Sequence, residues 1–195
     1  ALRAEASQRS EMVSQLLFGE TYTLLETKED WIKISTDDCH YEGWLSRKQH
    51  TSMSKEEAQA YASIQKYHVK DTFLYVRNTT THIGFPIFIG SSFPEPKENK
   101  FVLAGREFSV DLPETSIAKS VEGISPKQEE LLHLCFHYLN APYLWGGRTP
   151  AGIDCSGFVQ VVFHLLGINL PRDASQQVEH GEPVDFVQEA QIGDI

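Results

Sequence analysis

The sequence predicts an α+β fold: two small β-barrels followed by a helical domain. Three observations predict it. Short strand-like runs crowd the first fifty residues, a second strand-rich region spans about Val69 to Val110, and helical patterning takes over after Ser125. The 195 residues suffice for more than one compact unit but not for two large ones.

In the first region, Met12 to Phe18 ends at the turn Gly19-Glu20. Thr21 to Leu25, Trp31 to Ile34 and Tyr41 to Leu45 follow, with Asp37-Asp38 as a turn. These runs are rich in β-branched and aromatic residues, and their close spacing suits a small antiparallel barrel. Ser54 then caps a short helix running to about Ile64, with Glu57 at the capping-box position. The second region holds Phe73 to Val76, Gly84 to Ile89 and Lys100 to Ala104, separated by polar turns at Asn78-Thr79-Thr80 and Pro94-Glu95-Pro96. It reads as a second, degenerate barrel. Leu112 to Gly123 reads as a linker.

Ser125 caps the next helix, with Pro126 at its first position and Gln128 closing a capping box. Leu131, Leu134, Cys135 and Tyr138 form its apolar stripe, and Pro142 ends it. Asp154 caps a further helix whose apolar face is Phe158, Val159, Val162, Phe163 and Leu166, with Gly167 as a left-handed end. A loop and another helix follow between Pro171 and His180. The expected divisions are 1–50, a helical connector 51–66, 67–118 and 119–195.

Composition bounds the function. Forty-one per cent apolar and 23% charged residues are ordinary for a globular chain. A net charge of −10 argues against a nucleic-acid partner, which requires a basic patch. No apolar run approaches the roughly 18 residues that span a bilayer. The start shows no signal peptide, though it also lacks Met.

The three cysteines form neither a disulfide framework nor a zinc pattern. Cys135 reads as a small buried hydrophobe, and Cys39 sits in a polar turn with no evident job. Cys155 falls in the first turn of the capped helix, where unpaired N–H groups and the positive dipole end favour a thiolate, the competent nucleophile. Paired glycines at Gly146-Gly147 allow close approach of backbone or substrate, and the aromatics before them can wall a cleft. The plainer reading is a buried cysteine just inside a helix.

The stretch Tyr143-Leu144-Trp145-Gly146-Gly147 through Asp154-Cys155-Ser156-Gly157-Phe158 resembles the nucleophile motif of the NlpC/P60 cysteine peptidases. Leu170-Pro171-Arg172-Asp173-Ala174-Ser175-Gln176-Gln177 and Gly193-Asp194 are also similar to that family, so the resemblance covers about residues 125–195. Ser10-Glu11-Met12, Trp31 and Tyr41-Glu42-Gly43-Trp44 resemble the bacterial SH3-like domain that precedes it in γ-D-glutamyl-L-diamino-acid endopeptidases. The second strand-rich region is similar only loosely.

The resemblance implies two SH3-like barrels before a papain-like domain. It implies hydrolysis of the amide between γ-D-Glu and a diamino acid, meso-diaminopimelate or Lys, in murein stem peptides with a free N-terminal L-Ala. Cys155 would be the nucleophile, with its backbone N–H in an oxyanion hole assisted by Tyr143. Trp145 would wall the pocket. Asp154 and Ser156 would bind the free amine, Glu11 and Tyr41 would close that end, and Arg172 is a further substrate-binding candidate. Ala174 stands where related sequences often have Ser. No metal or cofactor is implied. Each assignment has a plainer reading: Asp154 as a helix cap, Trp145, Tyr41 and Trp44 as core aromatics, Glu11 as a solvated strand residue, and Arg172 in a surface ion pair.

A papain-like mechanism needs a histidine and an orienting partner. The resembled family places both on strands after its Gly-Asp motif. None of the eight histidines here sits in that position. His164 lies too far along the Cys155 helix, and His180 sits on a polar segment. His133 and His137, four apart on one helix, lack a third metal ligand. The catalytic domain is therefore expected to be truncated in this chain, with its sheet and histidine following Ile195. A second reading is a catalytically silent protein that binds wall peptides through its SH3-like domains. A third is amidase or acyl-transfer chemistry on the same fold, disfavoured by Glu11 and Tyr41. The expected setting is bacterial, in the cell envelope or the cytoplasm, since unpaired cysteines fit either.

Overall fold

The computed structural model describes residues 1–111, 116–119 and 128–195. The first unit has five strands, β1 (Leu2–Arg3), β2 (Met12–Ser14), β3 (Tyr22–Lys28), β4 (Trp31–Thr36) and β5 (Glu42–Ser46). They form one antiparallel sheet in the order β2-β1-β5-β4-β3. Alternation along β4 sends Ile32 and Ile34 inward, where they meet Leu2 and Leu45. A bulge between Leu24 and Glu26 bends β3.

This sheet is open, which corrects the expected closed barrel. Among the described residues no ladder joins the edge strands β2 and β3. β1 and β2 are two and three residues long, too short to curl round to the far edge.

Helix α1 (Lys55–Ser63) follows with the expected capping box. The Ser54 hydroxyl accepts from Glu57 N, and the Glu57 carboxylate accepts from Ser54 N. Replacing Ser54 with Ala should destabilise the protein by about 1 kcal/mol in urea unfolding, since it exposes an unpaired N–H and loosens the partner bond. An unchanged midpoint would show that the cap contributes nothing.

The second unit adds β6 (Lys66–Val69), β7 (Phe73–Asn78), β8 (Gly84–Phe88), β9 (Ser92–Pro94), β10 (Lys100–Leu103), β11 (Arg106–Val110) and β12 (Ile117–Lys119). It too is not a closed barrel. A four-stranded sheet, β10-β11-β7-β8, and a three-stranded sheet, β12-β6-β9, enclose Val69, Leu74, Val76, Ile87, Phe93, Phe101, Phe108 and Val110. Phe93 stacks on Phe101 at 4.7 Å between ring centres. Phe18, leaving the first unit, packs edge-on against Phe101 and Phe108. The expected linker in fact contains β12, which pairs with β6. A three-residue strand carries too little alternation to be seen before its partner is known.

The third unit holds α2 (Gln128–Phe136), the hairpin β13 (Arg148–Thr149) and β14 (Gly152–Ile153), α3 (Cys155–Leu165) and α4 (Ala174–Gln177). The cap expected at Ser125 and Pro126 lies outside the described residues. Helix α2 stops at Phe136, short of Pro142. His137, Tyr138 and Leu139 bond three residues back, tightening the chain, and Asn140 then turns left-handed at φ +66°. Leu131, Leu134 and Tyr138 are buried as expected, against Val161, Val162, Leu165 and Leu166 of the α3 segment. Of the expected apolar face, Val162 and Leu166 are buried while Phe158, Val159 and Phe163 are half-buried; Val161 and Leu165 complete the inward face. Gly167 closes α3 as expected: Ile168 N donates to Phe163 O and Gly167 N to His164 O.

The units share their cores. Leu17 from the first and Ile89 from the second are buried in the cluster around α3. Among the described residues no helix is long and apolar enough to cross a membrane.

Candidate active site

The site begins with the start of α3. Asp154 is extended at φ −105° and ψ 174°, and its Oδ1 accepts from Gly157 N at 2.7 Å. Its Oδ2 accepts from Gly146 N at 2.7 Å and pairs with Arg172 Nη2 at 2.7 Å. One carboxylate therefore starts the helix and holds the loop that precedes it. Asp154 N donates to Gly147 O and Leu144 N to Ile153 O, so the aromatic segment lies alongside β14, the strand that leads into Cys155. Gly157 is required by this packing, because a Cβ there would stand 2.3 Å from Gly147 O.

Arg172 is 2% exposed, so it is no surface ion pair. Its Nη1 donates to Ser156 Oγ at 2.8 Å and its Nε to Ser14 Oγ of β2 at 3.1 Å. All three guanidinium nitrogens are thus bonded, to both flanks of Cys155 and to the first unit. Gln177 Nε2 donates to Ser156 O and to Pro171 O, fixing α4 against the start of α3.

Cys155 itself is exposed, which overturns the plainer reading of a buried cysteine. It opens into a pocket of about 350 Å³ lined by Glu11, Val13, Tyr41, Tyr143, Trp145, Asp154, Cys155, Ser156, Arg172, Asp173, Ala174 and Ser175. All eight residues singled out in the sequence therefore meet in one place. Tyr143 and Trp145 are 66% and 60% exposed, so neither is a core aromatic. Trp145 Nε1 donates to Glu11 Oε1 at 2.6 Å across the two units. Tyr41 OH donates to Asp173 Oδ1 at 3.3 Å. Burial, and then the Asp173 carboxylate, push the Tyr41 hydroxyl up to about 12, so it stays a neutral donor.

Val13, Asp173 and Ser175 were not singled out in the sequence. Asp173 could have been, since it stands next to Arg172 and starts α4. Its carboxylate makes no cap bond there and faces the pocket instead. Three carboxylates line the pocket, and Arg172 neutralises the one on Asp154. Glu11 and Asp173 each have one oxygen on an aromatic neighbour and together leave the pocket negative.

No histidine is among the pocket's lining residues. His164 Nδ1 bonds Asn169 Oδ1 at 2.8 Å and its ring meets that of His68 edge-on. Burial, and then the charge of His164, hold His68 down to about 4. The His133 and His137 rings lie 5.0 Å apart, and His137 Nδ1 is 3.0 Å from the Thr72 hydroxyl. Among the described residues no group of three or more His, Cys, Asp or Glu is placed to hold a metal ion.

A larger cleft of about 570 Å³ lies between the first two units, lined by Leu16, Phe18, Phe85 and Phe108 among others. No cysteine or histidine is among its lining residues.

Residues 140–195 match the NlpC/P60 family, and residues 2–49 match the bacterial dipeptidyl-peptidase Sh3 domain. Two curated relatives are named gamma-D-glutamyl-L-lysine dipeptidyl-peptidase. The one from Bacillus cereus is 25% identical over 95% of this chain and 60% of its own length. The one from Bacillus subtilis is 28% identical over 93% of this chain and 62% of its own. The chain thus spans about three-fifths of the length of these relatives. The crystal structure of an NlpC/P60 family protein from Bacillus cereus superposes with a TM-score of 0.82 at 23% identity, covering 93% of this chain and 63% of that one. The two chains share a fold.

Proposed function

We propose that this chain, with its NlpC/P60 segment behind a bacterial Sh3 segment, carries the nucleophile of a cysteine peptidase acting on murein stem peptides. The bond cleaved is the amide between γ-D-Glu and a diamino acid, meso-diaminopimelate or Lys, in peptides with a free N-terminal L-Ala. One observation carries the reading. An exposed cysteine at a helix N-terminus opens into a pocket that also presents the carboxylates of Glu11 and Asp173. The names of the two Bacillus relatives support it.

In this reading the Cys155 thiolate attacks the scissile carbonyl carbon. The carbonyl oxygen takes the negative charge and turns toward the Cys155 backbone N–H and the Tyr143 hydroxyl. Collapse expels the amine of the diamino acid, to which the proton taken from the thiol is returned, and leaves a thioester that water then hydrolyses. The proton acceptor must come from outside the pocket lining, since no histidine is in it. Glu11 and Asp173 receive the substrate ammonium, with Tyr41 and Trp145 holding the two carboxylates in place. Asp154 and Arg172 neutralise each other, and so shape the wall rather than supply charge. Ser156 Oγ accepts from Arg172 and keeps its own proton for a substrate oxygen.

The test compares L-Ala-γ-D-Glu-diamino-acid tripeptides with their N-acetylated twins, using full-length protein and mass-spectrometric detection. The free peptide should release the diamino acid. Acetylation should lower kcat/KM by about 100-fold, because it removes a charged hydrogen-bond donor from between two carboxylates. Equal cleavage of both peptides would refute the amine subsite. Binding without turnover would leave a wall-peptide binding protein instead.

A further inference from the structure

Arg148 stands outside the pocket and has no part in the chemistry proposed above. It is nevertheless 4% exposed, in the β13–β14 hairpin between Trp145 and Cys155. Its guanidinium makes a two-pronged ion pair with Glu20: Nη1 to Oε2 at 2.9 Å and Nη2 to Oε1 at 2.9 Å. Nη1 also donates to Gln15 O at 2.8 Å, and the Arg148 backbone N donates to Gln15 Oε1 at 2.8 Å. Glu20 Oε2 accepts in addition from Leu17 N at 2.8 Å. One arginine thus gathers the segment from Gln15 to Glu20, which leads from β2 to β3 and packs Phe18 against the second unit.

Glu11 immediately precedes β2, and Gln15 immediately follows it. Between them the backbone of Met12 lies against Gly146, where a Cβ would stand 2.4 Å from Met12 O and where φ is +77°. Only a residue without a side chain admits that contact. The strand bearing Glu11 is therefore held at one end by Arg148 and pressed against the aromatic loop at the other. At that loop Trp145 Nε1 meets Glu11 Oε1.

We infer that the Gln15–Glu20–Arg148 clamp is a positioning device, with Arg148 as the positioning residue: it sets β2 so that the Glu11 carboxylate reaches Trp145 and closes the pocket. A bidentate arginine–carboxylate pair fixes direction as well as distance, which a single hydrogen bond does not. The catalytic consequence rests on the function proposed above; the geometric one does not.

Indole N–H resonances of the ¹⁵N-labelled full-length protein test the geometric part. The chain has three tryptophans, and Trp145→Phe identifies the third resonance. Gln15→Ala and Glu20→Gln should each move the Trp145 resonance toward its position in Glu11→Gln, while those of Trp31 and Trp44 hold. In the tripeptide assay the same variants should raise KM by about tenfold and leave kcat within about twofold, as expected for lost ground-state binding. A folded variant whose Trp145 resonance stays in place overturns the clamp, and a moved resonance with unchanged KM overturns its catalytic consequence. If Glu20→Gln unfolds, Arg148→Lys decides by the same resonance, because it keeps a cation beside Glu20 but loses the two-pronged geometry. If the wild-type protein cleaves no tripeptide, the proposed function falls while the resonance still decides the clamp.

Discussion

Cys155→Ala in the full-length protein should abolish release of the diamino acid, by on the order of 10⁵-fold or more, and leave the fold standing. The two halves of this expectation have separate physical grounds. The thiol is exposed at the first position of α3 and belongs to none of the three core clusters. Alanine suits a helix start and retains the backbone N–H, so stability should stay within about 0.5 kcal/mol. Nothing else in the pocket replaces the sulfur, since its remaining lining residues include no other cysteine.

Thiol alkylation gives an independent check. Burial, and then the Asp38 carboxylate, push the Cys39 thiol up, and burial does the same to Cys135. Both are half-buried, whereas Cys155 is open to reagent. Iodoacetamide should therefore label Cys155 first, and labelling should track loss of turnover. Retained turnover in Cys155→Ala would remove it as the nucleophile.

The largest effect on stability is expected from Asp154→Ala, a loss of about 3–5 kcal/mol in urea unfolding. Three things go at once. Gly157 N loses its cap, Gly146 N loses its acceptor, and Arg172 is left as a nearly inaccessible cation without its carboxylate. The last is the largest, because a buried charge without a partner loses solvation that nothing returns. The double variant Asp154→Ala/Arg172→Met should recover part of that loss, since it removes the stranded charge as well. If both variants unfold at the same midpoint, the ion pair is not what holds the start of α3. The contrast with Ser54→Ala is instructive: that cap lies on the surface, and water replaces most of what the substitution removes.

Much of the site was legible because it is written in short spacings. Asp154 before Cys155, with Gly157 three residues after the cap, specifies a helix start in which Cys155 sits at the first turn. Gly167 specifies where that helix ends, and Ser54 with Glu57 specifies another start. These are local hydrogen-bond rules, and the backbone obeys them wherever the segment is placed. The motif from Tyr143 to Phe158 and the Glu11 and Tyr41 segments then named the residues that line the pocket.

What the sequence by itself determined is therefore the local machinery: where helices begin and end, which cysteine is set at a helix start, and which residue types surround it. Only the tertiary structure decided how distant segments meet. The two strand-rich regions became open sheets, because closure depends on pairing between edges that the alternation along any one strand does not specify. Asp173 joined the pocket because its carboxylate turns to Tyr41 instead of capping its own helix. Arg172 and Arg148 look alike in sequence as basic residues near a turn. In the structure both are buried, each bonded to the first unit, whose Glu11 and Tyr41 line the pocket together with Cys155. A buried arginine is stable only where its partners converge, and those partners come from segments that meet only in the folded chain.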